Sequence, residues 1–258
     1  MKPATVARIR TGSLWGAIGS WLVLGYLTWY VAPDWSYQPD VTAPLTRKIL
    51  FYHPASAWAS FAAYFVVFGA SVAYLSERDM GYDLPARAAA EVGFVLNSIA
   101  LATGTAWGVV EWQRSGQASL ATVYSEPKVL VVVVLWLAFA AYLLLRRFVD
   151  EPERRARLSA IFGILGFIGV PLSFATSRLL QTSLHPDVVG PGKNPDAAVG
   201  DVVGPILLWS LAAFLLLFVH LWLQRLRLLR ARERLLDLEF ALLDPLKTPQ
   251  PPESHHAR

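Results

Sequence analysis

Six stretches of this chain are long and apolar enough to cross a lipid bilayer, and that pattern narrows the fold more than any other feature. They cover residues 13–31, 55–75, 88–110, 129–145, 158–175 and 203–223. A spanning helix takes about 20 predominantly apolar residues, within a range of roughly 17–25. The fourth and fifth stretches lie at the short end of that range. In hydrocarbon every backbone donor and acceptor must be satisfied inside the protein, which leaves helices and closed barrels. Barrel strands are shorter and alternate in polarity, and these runs do neither. The fold class expected is therefore all-α: one integral membrane bundle of six transmembrane helices. The composition agrees, since 55% of the 258 residues are hydrophobic against about 45–50% in soluble domains.

The charges set the expected orientation. With both termini in the cytoplasm, 17 of the 23 Lys and Arg residues fall in inner segments and six in outer ones. That asymmetry is the positive-inside pattern. The six outer cations are Arg47, Lys48, Arg114, Lys128, Arg178 and Lys193. The net charge of +4 is thus a topology signal, and no nucleic-acid partner is expected. The outer segments are 32–54, 111–128 and 176–202, and the inner ones 76–88, 146–157 and 224 onward. The basic start MKPATVARIR resembles a signal peptide, but the run after it is a full span and ends in LTWYVAPDW without a small-x-small cleavage site. It is expected to stay as the first helix. Residues 1–225 then form the membrane domain. Residues 226–247 carry a helical apolar pattern with charges between the leucines. Residues 248–258 are Pro-rich and polar, as in a disordered tail. The expected location is the cell's cytoplasmic (inner) membrane, in contact with lipid.

The chain has no cysteine, which excludes disulfides, thiolate metal sites, iron–sulfur clusters and covalent haem attachment. It has no P-loop, so it carries no ATPase machinery. Of its five histidines, His255 and His256 lie in the tail, and His220 sits near the inner end of the sixth span, where a hydrogen-bonded structural histidine is the ordinary role. His53 and His185 differ. The topology, taken only from Lys and Arg, puts both on the outer face, and a proline follows each. Proline biases the preceding residue toward an extended backbone and removes a donor. Two imidazoles at one membrane depth suit a bis-histidine site, the axial pair of a haem iron. Two unrelated interfacial histidines fit the same spacing. Trp107 and Trp112, five residues apart at the outer end of the third span, serve equally as membrane-belt anchors or as a floor for a flat apolar macrocycle. Arg47, Lys48, Arg114, Lys128 and Arg178 are placed to pair with carboxylates of such a ligand.

Three blocks, RKILFYHPASAW, ALATGTAWGVVEW and PLSFATSRLLQTSLHP, resemble the haem exporter C (CcmC) family of cytochrome c maturation, within the wider haem-handling superfamily. Their order, their spacing and the six-helix plan agree with it over roughly residues 10–225. The resemblance implies haem b bound without covalent attachment by His53 and His185 as axial, metal-ligating residues. It implies a haem platform beginning at Trp107, Gly108 and Trp112. It further implies a binding role without catalysis, delivery of haem to an extracytoplasmic haem chaperone, and association with ABC-type ATPase and permease subunits. The chain departs from the pattern after Trp112. The family continues with closely spaced tryptophans, whereas QRSGQASLATVYSEPKV leaves Tyr124, Glu126 and Lys128 to stand for the aromatic, acidic and basic positions. A thinner platform implies looser holding or a different partner. Three other functions stay open at this level, one of them a structural membrane subunit without a cofactor, in which both histidines would be dispensable. A permease subunit would need polar residues along a path, and the spans offer Asn97, Glu91 and His220. A haem lyase component usually carries more helices and richer tryptophan segments.

Overall fold

The computed structural model describes residues 3–33, 44–112, 119–179, 185 and 202–243. Among these the chain is mostly helical and has no strand, with six helices long and apolar enough to cross a membrane. Helix α1 (Pro3–Tyr26) runs into one π-helical turn, Leu27–Val31. The short α2 (Pro44–Arg47) and a 3-10 turn, Lys48–Phe51, lead to α3 (His53–Glu77). Next come α4 (Asp83–Glu111), the short α5 (Leu120–Ser125) and α6 (Pro127–Phe148). Helices α7 (Pro152–Phe167) and α8 (Gly169–Leu179) make one span between them, and α9 (Val203–Leu243) is a continuous helix of 41 residues.

Small residues decide how closely these helices pack. With lipid on one side and protein on the other there is little hydrophobic gain in association, so close backbone approach and van der Waals contact dominate. Helices α3 and α4 meet along Ala59, Ala63, Ala89, Ala90 and Gly93. A Cβ at Gly93 would stand 2.8 Å from the Cβ of Ala63 and 2.9 Å from the Tyr64 ring. Tyr64 itself is fully buried and stacks on Phe139 of α6, with centroids 3.6 Å apart and planes 11° from parallel. Its hydroxyl accepts a 3.3 Å hydrogen bond from Asn97 Nδ2. Asn97, the mid-span polar residue singled out in the sequence, thus has a partner inside the core. His220 Nδ1 lies 3.0 Å from Ser13 Oγ, a hydrogen bond that ties α9 to α1.

Helix α4 opens with a buried ion pair. Arg146, in the last turn of α6, forks onto Asp83 through Nη1–Oδ1 (2.6 Å) and Nη2–Oδ2 (2.5 Å). Glu91 accepts from Arg87 at 3.1 Å and from Arg225 of α9. Arg87, Arg146 and Arg225 therefore gather at one end of the bundle, opposite the end that holds His53 and Trp107.

The structure refines two sequence expectations. His53 is not extended. It is the first residue of α3, after Tyr52 in right-handed helical conformation (φ −110°, ψ −42°). Pro54 is tolerated there because a first-turn N–H has no intrahelical acceptor to lose. The fifth span is broken at Ile168, where a tight turn (Ile168 N to Leu165 O, 3.2 Å) separates α7 from α8. Pro171 supplies the cause: it has no N–H for the Phe167 carbonyl four residues back.

Candidate functional site

At the His53 end the helices enclose a cavity of about 140 Å³. Helix α3 contributes a stripe at helical spacing: His53, Pro54, Ala57, Trp58 and Phe61. Helix α4 supplies Ala100, Leu101, Gly104, Thr105 and Trp107, and α6 supplies Lys128, Val129 and Val132. Phe174 of α8 closes one wall, packed on Trp58 (centroids 5.0 Å apart) and Phe61 (5.6 Å). His185, 132 residues along the chain from His53, lines the same cavity. The walls are thus apolar and aromatic, with two imidazoles and one ammonium among them.

The two imidazole rings stand 6.2 Å apart, centroid to centroid, with planes at 48°. Trp107 lies 6.4 Å from the His185 ring and meets Trp112 edge-on at 6.0 Å. Five of the eight residues singled out in the sequence therefore line one cavity: His53, His185, Trp107, Trp112 and Lys128. The other three stand behind its wall. Gly108 lets Val123 and Trp112 pack against α4, since a Cβ there would meet them at 3.3 and 3.4 Å. Tyr124 shares a 3.1 Å hydroxyl contact with the cavity-lining Thr105. Glu126 is buried at the N-cap of α6, immediately before the helix that carries Lys128. Of the other cations considered, Arg47 pairs with Glu111 at 3.8 Å, and Lys48 donates to the Thr28 carbonyl (2.7 Å) beneath the Trp29 ring. Arg114 lies outside the described residues, as does the stretch between Trp112 and Ser119.

Sequence reasoning missed Trp58, Phe61, Phe174 and Gly104. For the first two a signal existed, because both fall on the face of α3 that carries His53. For Phe174 and Gly104 none existed, since their roles depend on how α8 and α4 meet α3.

The tautomer of His53 follows from its neighbours. Its Nδ1 lies 2.9 Å from the Ala100 carbonyl oxygen. A carbonyl only accepts, so Nδ1 carries the proton and donates it. In the neutral ring Nε2 then holds the lone pair. Among the described residues no group of three or more His, Cys, Asp or Glu is placed to hold a metal ion. A bare ion that draws all its ligands from protein therefore does not suit this donor set. A metal whose equatorial positions are already filled by a macrocycle, as in haem, does. An imidazole nitrogen binds such a metal at about 2 Å, and a ring centre lies about 1 Å further back, so two rings on opposite sides of one ion have centres roughly 6 Å apart.

Residues 4–185 match the family model of the cytochrome c assembly protein. Among curated proteins, the chain is similar to heme exporter protein C of Bradyrhizobium diazoefficiens, 31% identical over 219 residues, which is 84% of this chain and 78% of the relative. It is similar also to heme exporter protein C of Paracoccus denitrificans, 28% identical over 86% of this chain and 90% of that protein. The protein of that name from Rhodobacter capsulatus is 29% identical over 75% and 77%. With the match running from the first helix to His185, this chain belongs to the cytochrome c assembly protein family, a multi-pass membrane protein of haem handling in cytochrome c maturation.

Proposed function

We propose that this chain binds haem b in the cavity between α3, α4, α6 and α8 and presents it at the outer membrane face to a haem chaperone. His53 and His185 are the axial ligands. Lys128 pairs with a propionate, and Trp107 with Trp112 supports the macrocycle. Both termini are cytoplasmic, and ABC-type ATPase and permease subunits are the membrane partners. The observation that carries the reading is the separation of 6.2 Å between two histidine rings contributed by distant segments, over an apolar aromatic cavity. The relatives' name supports the cargo, since all three are called heme exporter protein C.

The chain's own work is binding and release. The apolar and aromatic walls would cover the macrocycle's faces, and the two imidazoles would fill both axial positions. Haem held in that way would have no coordination site open for oxygen. Release requires one imidazole to yield to a ligand supplied by the acceptor. His53 is held from behind by the Ala100 carbonyl, 2.9 Å from its Nδ1, so its ring is oriented before any ligand arrives.

The test is the visible spectrum of purified protein beside His53→Ala and His185→Ala. The wild type should show a low-spin Soret band with sharp α and β bands on reduction, and each variant should lose that signature. A wild type that stays colourless after haem addition overturns the ligand assignment.

A further inference from the structure

We infer that Gly104 is the positioning residue of the site: its missing side chain seats the His53 ring and uncovers the carbonyl that fixes the ring's proton. The inference rests on the haem-binding reading for its consequence, though not for its geometry.

Four observations meet at this point. A Cβ built on Gly104 would stand 2.6 Å from His53 Cε1 and 3.0 Å from Nδ1. Contacts that short do not occur, so any other residue would displace the ring. The His53 Nδ1 proton goes to the Ala100 carbonyl, 2.9 Å away. In an α-helix the residue four positions on stands over a carbonyl, and for Ala100 that residue is Gly104. A side chain at 104 would therefore screen the acceptor as well as strike the ring. The fourth observation is Thr103. Its hydroxyl donates to helix carbonyls, Ile99 O at 2.7 Å and Ala100 O at 3.2 Å. With its proton turned to those carbonyls, Oγ1 faces Nδ1 (3.4 Å) as an acceptor and favours the same tautomer.

The result is a ring locked in place with its Nε2 lone pair available for a metal. Free neutral histidine prefers the opposite tautomer, with the proton on Nε2. This site inverts that preference before any ligand arrives. An outer hydrogen bond to a ligating histidine ordinarily contributes 10–100-fold to metal affinity, and Gly104 is what permits this one.

Two measurements test the inference. The first needs no haem. Nitrogen NMR of the apoprotein with labelled histidine should find His53 protonated on Nδ1 in the wild type and shifted toward Nε2 in Gly104→Ala. A wild-type His53 protonated on Nε2 overturns the inference whatever the cargo. The second is haem titration. Gly104→Ala should stay helical and monodisperse but bind haem about 10–100-fold more weakly and without the low-spin bands. Added imidazole should restore those bands, as it should in His53→Ala. Affinity and spectrum unchanged from wild type, or a loss that imidazole does not repair, would overturn it. A wild type with the Nδ1 proton but no haem binding would sink the haem reading alone and leave the positioning role of Gly104 standing.

Discussion

At the scale of the residue, the site depends on side chains with few alternatives. Trp107 lies beside both Trp112 and His185, and its ring forms cavity wall. Truncation to Ala removes one aromatic face, a loss of about 0.5–1.5 kcal/mol beyond area burial. Trp107→Ala should accordingly bind haem about 2–10-fold more weakly, while Trp107→Phe stays near wild type; titration followed at the Soret band compares them. The residues that could be read from sequence were those with chemistry of their own, His53, His185, Trp107, Trp112 and Lys128. Gly104 could not be, because what matters is the side chain it lacks and the ring that occupies the space. The helical conformation of His53 departs from its local preference for a related reason. The preference of a residue before proline is a local bias, and packing at the start of α3 outweighs it.

At the scale of the element, the spans show how a local rule and its tertiary setting divide the outcome. The six apolar runs alone mark the six spanning helices. Pro171 signals a disturbance in the fifth, but the position of the break at Ile168 depends on the carbonyl that proline leaves without a donor. Gly169 is also pressed against Leu135 there, since a Cβ would approach its side chain to 3.1 Å. Helices α4 and α6 are clamped by Asp83 and Arg146, 8% and 9% exposed. Removing one member of such a pair leaves a buried charge and costs about 3–5 kcal/mol, whereas an apolar replacement of both is often neutral. Asp83→Ala should therefore lower the thermal midpoint of the detergent-solubilised protein sharply. The double variant Asp83→Leu/Arg146→Met should recover most of the loss. A double variant as unstable as the single one would mean that the pair itself, and not the uncompensated charge, carries the stability.

At the scale of the whole molecule, the bundle has two unlike ends. One gathers Arg87, Arg146 and Arg225 onto carboxylates. The other gathers His53, His185 and the tryptophans around a cavity. The positive-inside pattern assigns the first to the cytoplasm, and the absence of native cysteine makes the assignment simple to check. Leu120, 59% exposed at the cavity end, and Glu151, exposed at the basic end, accept single cysteines without burial conflicts. In right-side-out vesicles Leu120→Cys should react with a membrane-impermeant maleimide, and Glu151→Cys only after permeabilisation. The reverse pattern would turn the bundle over and place the cavity in the cytoplasm.

The indole-lined cavity has an optical consequence. Trp58, Trp107 and Trp112 stand on its walls, and indoles emit in the near ultraviolet, where porphyrins absorb strongly. A porphyrin seated among them would take up their excitation by resonance transfer over a few ångströms, and emission would dim as the cavity fills. Emptying would restore it. The same rings that shelter a flat cargo thus form a gauge of its arrival and departure, built into the wall and needing no label.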